Sequence, residues 1–229
     1  MYIVKESNLR ANMTNTPIPI DLYWSFRSPY SYLATKHIRA IEAQRNVRFN
    51  LKIVLPLAIR DPSFFDSRGP EWLGYVMRDI MRLAQMTEQT IAMPNPDPII
   101  QDMATAKIAE DQPHIWRLSR LGLAATDVGH GLTFIDEVSR LIWSGKPWTE
   151  GDNLAEAVSR AGLNMAELDA TIEGKEASFD ARFEDHDKAL RKAGHWGVPT
   201  CVIDHEPFFG MDRLPVLEWR LDQMGVLRD

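Results

Sequence analysis

The chain has 229 residues, of which 45% are hydrophobic and 25% are charged, a composition typical of a soluble globular protein. Its length fits one domain, or one domain that carries a large insertion. The net charge of -6 at pH 7 argues against nucleic acid as the main partner, and no apolar run is long enough to span a bilayer. The single cysteine excludes an intramolecular disulfide and favours a reducing, cytoplasmic location.

The N-terminal third predicts a tail followed by a β-α-β unit. Residues 1–17 are polar and lack the apolar core of a secretory signal, so we expect a flexible tail there. An apolar run that ends at Trp24 predicts a strand, and helical spacing of apolar residues from Tyr30 onward predicts a helix directly after it. Alternating residues over 47–54 predict a second strand.

The rest of the chain predicts a long helical region and a second, shorter α/β unit. Helical periodicity continues almost throughout from residue 71 to about residue 192. Breaks are expected at residues 93–98, 146–147 and 162–164. A β-like run at 201–203 then leads through a hairpin to a last amphipathic helix. The outline is a β-α-β half, a helical insertion and a β-β-α half.

The turn between the first strand and the first helix reads Ser28-Pro29-Tyr30-Ser31. Unpaired backbone N–H groups and the positive end of the helix dipole gather at such a position, so it is suited to hold an anion or a thiolate. A thioredoxin-type protein carries Cys-x-x-Cys at this position and spacing. Ser28 is also a favoured N-cap and Pro29 a favoured first helical residue, so the pair can equally serve only to start a helix.

A second segment, Gly197-Val198-Pro199-Thr200, precedes the β-like run that follows the helical region. A proline at the entrance of a strand is ordinarily an edge or start residue. In thioredoxin-like folds, however, this proline is cis and faces the thiol site across a narrow groove, and a cis bond normally has a structural purpose. We therefore expect a cis Val198–Pro199 bond that faces Ser28.

With both segments in place, the chain resembles the family of kappa-class glutathione transferases and 2-hydroxychromene-2-carboxylate isomerases. This family is the serine-bearing branch of the DsbA-like thioredoxin superfamily, and the likeness extends over about residues 18–227. Further segments that carry it are Phe209-Gly210-Met211-Asp212-Arg213-Leu214, residues 75–84 and Met93-Pro94-Asn95-Pro96. The resemblance implies an α/β fold, thioredoxin-like of the DsbA/kappa type, with an all-helical insertion domain. The implied boundaries are 18–70 and 193–229 for the thioredoxin-like domain and 71–192 for the insertion.

The resemblance also implies glutathione as the cofactor. Ser28 would donate a hydrogen bond to the glutathione thiolate and, with the helix N-terminus, lower the pKa of that thiol below its free value of about 8.5. The main chain of Val198, next to Pro199, would pair with the cysteinyl part. Asp212 would bind the γ-glutamyl end, and its other interpretation is an N-cap of the last helix.

Two positions depart from the family pattern around the cofactor. In the segment 66–70, Arg68 keeps the family's positive charge, whereas Ser67 is shorter than the asparagine common there. Met211 replaces a residue that is often polar, so one side-chain hydrogen bond to the peptide is expected to be missing.

Three residues are expected to contact the substrate. Arg27 suits recognition of a carboxylate, and its alternative is a solvated arginine on a loop. Trp196 would form an aromatic wall, and its alternative is packing in the core. Tyr30 lies in the serine-bearing turn itself.

The implied activity is that of a glutathione-dependent isomerase acting on a conjugated aromatic carboxylate by reversible thiolate addition. A kappa-type glutathione transferase or peroxidase and a non-catalytic thioredoxin-like module remain as alternatives. Dithiol exchange of the DsbA type is excluded because the motif holds no cysteine, and Cys201 is expected to be buried and inert. The histidines lack the spacing of a metal site.

We also predict a homodimer. The predicted insertion carries Trp72, Trp116, Trp143 and Trp148, more tryptophans than one layer over a sheet needs. Exposed apolar patches often become interfaces, and members of the family are typically dimeric. The alternative is that these tryptophans all pack within the insertion.

Overall fold

The structure of the protein is a computed structural model that describes residues 16–65, 68–102 and 107–226. Most of the predicted N-terminal tail and Ser67 lie outside the described residues.

Strands and helices follow the predicted order. The strands are β1 (Ile18–Trp24), β2 (Val47–Ile53), β3 (Thr200–Ile203) and β4 (Glu206–Phe209). The helices are α1 (Pro29–Gln44), α2 (Leu57–Arg60), α3 (Pro70–Thr87), α4 (Pro113–Asp127), α5 (Gly131–Ile142), α6 (Asn153–Arg160), α7 (Met165–Ile172), α8 (Glu176–Lys192) and α9 (Leu214–Gln223). Short 3₁₀ helices cover Pro62–Phe65 and Met211–Arg213. Over the described ranges, no helix combines the length and the apolar character that crossing a membrane requires.

The strands of the described chain form one mixed sheet in the order β2-β1-β3-β4. β1 pairs in parallel with β2 through the α1 crossover and antiparallel with β3, and β3 pairs antiparallel with β4. The two α/β halves of the sequence therefore meet along β1 and β3, with the helices α3 to α8 inserted between β2 and β3. This arrangement confirms the predicted thioredoxin-like α/β fold with a helical insertion.

The central strand β1 is buried on both faces because helices cover the two sides of the sheet. Ile20, Leu22 and Trp24 alternate along β1 and are 0% exposed in the main hydrophobic core, which continues into the inserted helices. Tyr23 points to the opposite face, where it packs with Leu190 of α8. The sheet and the insertion share one core, and the boundaries at 18–70, 71–192 and 193–229 remain predictions.

The insertion is less helical than the sequence pattern predicted. The expected break at 93–98 is part of a segment between α3 and α4 that is irregular over its described residues, 88–102 and 107–112. Side-chain hydrogen bonds replace helical ones there, since Gln112 pairs with both the N–H and the carbonyl of Ile100 at 2.8 Å. Trp148 Nε1 donates to the carbonyl of Pro96 at 2.7 Å, which fixes the proline-rich part.

The four tryptophans do not form the exposed patch that motivated the predicted homodimer. Trp143 and Trp148 are 1% and 3% exposed within the core. Trp116 packs on Phe183 of α8 with ring centroids 5.9 Å apart, and Trp72 is half-buried. The expected patch was wrong for Trp143 and Trp148, which are buried, and for Trp116, which packs on α8. The homodimer itself remains a prediction.

A buried arginine fastens the C-terminal end of α1 to α9. Arg45 has a side chain that is 2% exposed and lies 3.8 Å from the carboxylate of Glu218. Its Nη1 donates to Asp222 Oδ1 at 2.6 Å and to the carbonyl of Val226 at 2.5 Å. The helix that carries the serine turn at one end is therefore anchored at the other end by charge-assisted hydrogen bonds.

Replacing Arg45 by alanine should lower the free energy of unfolding by about 3 kcal/mol, because it leaves the partner groups at the α1–α9 contact uncompensated. Chemical denaturation monitored by circular dichroism measures this change. The matched control is Arg48→Ala on the exposed side of β2, which should change the free energy by no more than about 0.5 kcal/mol. Equal losses in both variants would contradict the anchoring role.

Candidate functional site

Ser28 is the N-cap of α1, and Pro29 is its first residue. The backbone of Ser28 is extended, with φ -99° and ψ 112°, and its Oγ accepts the N–H of Ser31 at 3.1 Å. Trp24 fixes this end of the helix against β1, since its Nε1 donates to the Ser31 carbonyl at 3.0 Å. Ser28 and Pro29 therefore start α1, and this places Ser28 at a helix N-terminus, where the dipole favours negative charge.

The Pro199 loop faces this serine, as the sequence predicted. The Val198–Pro199 bond is cis, and the hydroxyl of Ser28 lies 3.4 Å from the Val198 carbonyl to which it donates. Neighbouring hydrogen bonds hold the loop, because Thr200 Oγ1 donates to the Gly197 carbonyl at 2.7 Å and Gly210 N–H donates to the Pro199 carbonyl at 2.8 Å. Segments 170 residues apart therefore meet at one point.

Two groups at this junction have no partner within the described residues. The main-chain N–H of Val198 has no acceptor there, so an extended peptide has a donor to pair with. Ser31 is 0% exposed, and its Oγ has no hydrogen-bond partner. Of the two serines in the turn, Ser28 is thus the one that is partly exposed, and Ser31 is enclosed by the protein.

Arg27 and Tyr30, both predicted to contact the substrate, are bound to other parts of the protein. Arg27 Nε donates to Asp97 Oδ1 at 2.6 Å, and its guanidinium lies 5.6 Å from the centroid of the Trp143 ring. The alternative of a solvated loop arginine is therefore wrong. Tyr30 donates to Asp79 of α3 at 3.0 Å, and burial together with that hydrogen bond raises the pKa of Tyr30. Their contacts with substrate remain predictions.

Arg68 and Trp196 lie in one group of aromatic rings beside the Pro199 loop. The guanidinium of Arg68 is 4.6 Å from the centroid of Phe64, and the Phe64 ring is 4.9 Å from that of Trp196. Trp196 is 37% exposed, so the alternative in which it packs in the core is wrong. The structure brings together an arginine predicted for the cofactor and a tryptophan predicted for the substrate.

Asp212 is exposed in the 3₁₀ helix that precedes α9, and its carboxylate lies 3.3 Å from Arg213. It is not the N-cap of α9, because Arg213 occupies that position. The side chain is therefore accessible to a ligand, and binding of the γ-glutamyl end remains a prediction. Met211 is buried, which agrees with a residue that offers no hydrogen bond to a ligand.

Sequence reasoning did not single out Asp97, Asp79, Phe64 or Phe209 around this site. Asp97 follows the second cis bond, Asn95–Pro96, within the irregular stretch. Phe209 was named only as part of a family-like segment, although its ring stacks on His195 with centroids 3.9 Å apart. No local pattern marks these residues, because each reaches the site through long-range contacts.

The sequence profile of the DSBA-like thioredoxin domain matches residues 19–222. The chain belongs to this family. A comparison with curated proteins gave no match.

Solved structures with the same DSBA-like fold include two kinds of enzyme. A 2-hydroxychromene-2-carboxylate isomerase has a TM-score of 0.66 and 17% identity, with 91% of this chain and 96% of that chain covered. A probable DsbA oxidoreductase from Streptomyces coelicolor has a TM-score of 0.62 and 15% identity, with 90% and 89% covered. The cytosolic disulfide reductase DsbM from Pseudomonas aeruginosa, in a structure with GSH, has a TM-score of 0.52 and 17% identity, with 90% and 100% covered.

Within the DSBA-like family, this chain lacks the cysteines that disulfide exchange needs. Its single cysteine, Cys201, is buried in β3, and burial raises the pKa of its thiol to about 12. A thiol with such a pKa is neutral at pH 7 and a poor nucleophile. The turn holds Ser28 and Ser31 instead, so an internal dithiol is absent from this DSBA-like domain.

A cysteine placed at position 28 should be a stabilised thiolate. The N–H of Ser31 and the helix dipole favour the anion, so the pKa of the Ser28→Cys thiol should fall to about 7.5 or lower, against about 8.5 for a free thiol. The ultraviolet absorbance of the thiolate as a function of pH measures this pKa. The unchanged protein is the control, because Cys201 titrates far above this range, and an ordinary pKa at position 28 would show that the turn does not stabilise an anion.

Proposed function

We propose that the protein is a glutathione-dependent isomerase of the 2-hydroxychromene-2-carboxylate isomerase type, acting on a conjugated aromatic carboxylate. The observation that carries this proposal is the position of the Ser28 hydroxyl, at the N-terminus of α1 and 3.4 Å from the carbonyl next to Pro199. A DSBA-like domain with this geometry has no reactive cysteine of its own. We infer that it binds a small molecule that carries a thiol and stabilises the thiolate of that ligand.

The residues around Ser28 fit glutathione. The N–H of Val198, which has no acceptor in the described part of the chain, offers a main-chain donor to the cysteinyl part of an extended peptide. The exposed carboxylate of Asp212 suits the amino group at the γ-glutamyl end. Support of a second kind is the DsbM structure with GSH, which shares the fold at low identity.

When bound, glutathione would supply a thiolate that adds reversibly to a conjugated double bond and so permits rotation about it. The role of Ser28 is to turn its hydroxyl hydrogen from the Val198 carbonyl toward that sulfur. Because the hydroxyl lies 3.4 Å from the Val198 carbonyl, that hydrogen bond is weak, and breaking it costs little free energy. The Ser31 N–H keeps the Ser28 oxygen in place while the hydrogen is redirected.

Isothermal titration calorimetry with glutathione tests whether the chain binds glutathione at all. Absence of binding would favour the non-catalytic module.

Asp212→Asn should weaken glutathione binding about tenfold in the same calorimetric measurement, since it removes a charge-assisted hydrogen bond. Asp185→Asn, at an exposed carboxylate on α8, is the matched control and should leave the affinity unchanged. Equal affinity of both variants and the parent would exclude Asp212 from the site.

Ser28→Ala should reduce turnover about 10²–10³-fold, because it removes a positioned donor to an anion, and should cost about 1 kcal/mol of stability as a lost N-cap. Ser31→Ala should change both quantities little, since the buried hydroxyl of Ser31 has no hydrogen-bond partner among the residues that the structure describes. Turnover of a chromene carboxylate, followed by absorbance, and thermal unfolding measure the two effects.

Undiminished turnover in Ser28→Ala would end the assignment of that residue. A parallel assay with aryl halides separates the isomerase from the kappa-type transferase, because only the transferase forms a stable thioether product from them.

A further inference from the structure

Arg60 is the last residue of α2, the short helical turn that follows β2, and its side chain is 5% exposed. Each nitrogen of its guanidinium donates to a different part of the chain. Nε donates to the Leu55 carbonyl at 2.5 Å, Nη1 to the carboxylate of Asp187 on α8, and Nη2 to the Trp196 carbonyl at 3.1 Å. The planar guanidinium suits this arrangement because its donors are fixed in one fork. Arg60 therefore joins the end of β2, α8 and the Pro199 loop.

The main chain of the Pro199 loop is held by bonds inside the loop and by this arginine from outside it. The N–H of Gly197 donates to His195 Nδ1 at 2.9 Å, a bond that lies within the loop and fixes only its shape. Arg60 binds the preceding carbonyl, that of Trp196, from another segment of the chain. The arginine therefore fixes where the loop lies relative to β2 and α8.

Val198 follows Trp196 by two residues and faces Ser28. Its carbonyl accepts the Ser28 hydroxyl at 3.4 Å, and its N–H has no acceptor among the described residues. Planar peptide bonds leave two soft dihedral angles per residue, so a fixed Trp196 carbonyl restricts the directions in which the Val198 N–H can point. The contact with Arg60 thus acts on the site without touching it.

Asp187 holds the guanidinium of Arg60 and is itself bound by a second arginine. Arg60 binds its Oδ1, and Arg191 Nε donates to its Oδ2 at 2.9 Å. The side chain of Arg191 is 45% exposed, so the carboxylate has one buried and one surface partner. Because Arg191 remains when Arg60 is replaced, a neutral side chain at position 60 does not leave the carboxylate unpaired. We therefore expect such a variant to fold.

We propose that Arg60 is the positioning residue of the Pro199 loop, which holds the Val198 N–H in the direction in which it meets the ligand. Arg60 acts through the Trp196 carbonyl and does not contact the ligand. The identity of that ligand, glutathione, rests on the proposed function. The position of the loop is a property of the free protein and can be measured without any ligand.

The first test observes the Val198 amide directly by nuclear magnetic resonance. Gly197-Val198 and Gly225-Val226 are the two Gly-Val steps of the sequence. Protein that carries carbon-13 at the glycine carbonyl and nitrogen-15 at valine therefore gives two signals in a spectrum that correlates each amide with the preceding carbonyl. Arg60→Met should shift the Val198 signal, because the loop loses its contact with β2 and α8. The Val226 signal is the internal reference, since its N–H donates to the Leu221 carbonyl of α9.

Arg120→Met is the matched control. Arg120 binds Asp180 of α8 at 2.8 and 2.7 Å, so this change also removes an arginine–aspartate pair with α8. No hydrogen bond of the described chain links Arg120 to the Pro199 loop, and both valine signals should stay in place. An unchanged Val198 signal in Arg60→Met, or equal shifts in the two variants, would overturn the proposal.

A second variant, Arg60→Lys, keeps the positive charge beside Asp187 and covers the case in which Arg60→Met does not fold. The single ammonium group of lysine cannot reproduce the fork of three nitrogens, so the Val198 signal should shift in this variant too. A signal at the position of the parent would show that charge alone holds the loop, and it would contradict the three-way contact on which the proposal is built.

Calorimetry with glutathione measures the consequence for binding. Arg60→Lys should weaken the affinity about five- to tenfold, because a misdirected Val198 N–H loses about one hydrogen bond to the ligand. Arg120→Met should leave the affinity unchanged. Equal affinities of Arg60→Lys and the parent would exclude the positioning role. If the parent binds no glutathione, the proposed function fails, and the Val198 signal still decides the role of Arg60.

Discussion

The contact between the Ser28 hydroxyl and the Val198 carbonyl is the interaction on which the site depends. It exists because β1 is the central buried strand and delivers the chain directly into α1. The Val198 carbonyl belongs to the loop that leads into β3, and β3 is the strand next to β1. A hydrogen bond from Trp24 fixes the start of α1, and hydrogen bonds from Thr200 and Gly210 fix the Pro199 loop. The hydroxyl therefore stays at a helix N-terminus and faces a loop in which the Val198 N–H has no acceptor among the described residues. Both features favour an anionic or peptide-like ligand.

The chemistry of the site follows from the presence of Ser28 and Ser31 at the positions where a thioredoxin-type protein carries its two cysteines. Cysteine at the first position of this turn would itself be the reactive group, whereas Ser28 only donates or accepts a hydrogen bond unless a base activates it. Cys201 does not compensate, since burial raises the pKa of its thiol to about 12. We infer that the fold keeps the geometry that stabilises a thiolate and takes the sulfur from a ligand.

Local sequence signals predicted the parts of the structure that local rules govern. The strand and helix around Ser28 follow from periodicity and capping, and the cis bond at Pro199 follows from the likeness of its segment to the family. The pairing of Arg27 with Asp97 was not predictable, because it depends on the path of an irregular stretch whose hydrogen bonds come from distant side chains such as Trp148. Tryptophan counts likewise could not show which neighbour covers each ring. Asp212 lies inside a 3₁₀ helix that no pattern indicated.

The distribution of charge around the turn changes which arginine suits an anionic substrate. Arg27 is adjacent to Ser28 in sequence, yet its charge is matched by Asp97 at 2.6 Å. A substrate carboxylate would have to displace that partner, at a cost comparable to the strength of the ion pair. Arg68 has no such partner in the described chain and lies against the rings of Phe64 and Trp72, where a planar ligand gains stacking and charge complementarity together. We therefore expect the thiol ligand to bind along Val198 and the aromatic carboxylate to approach from the Arg68 side, so that the two meet at Ser28.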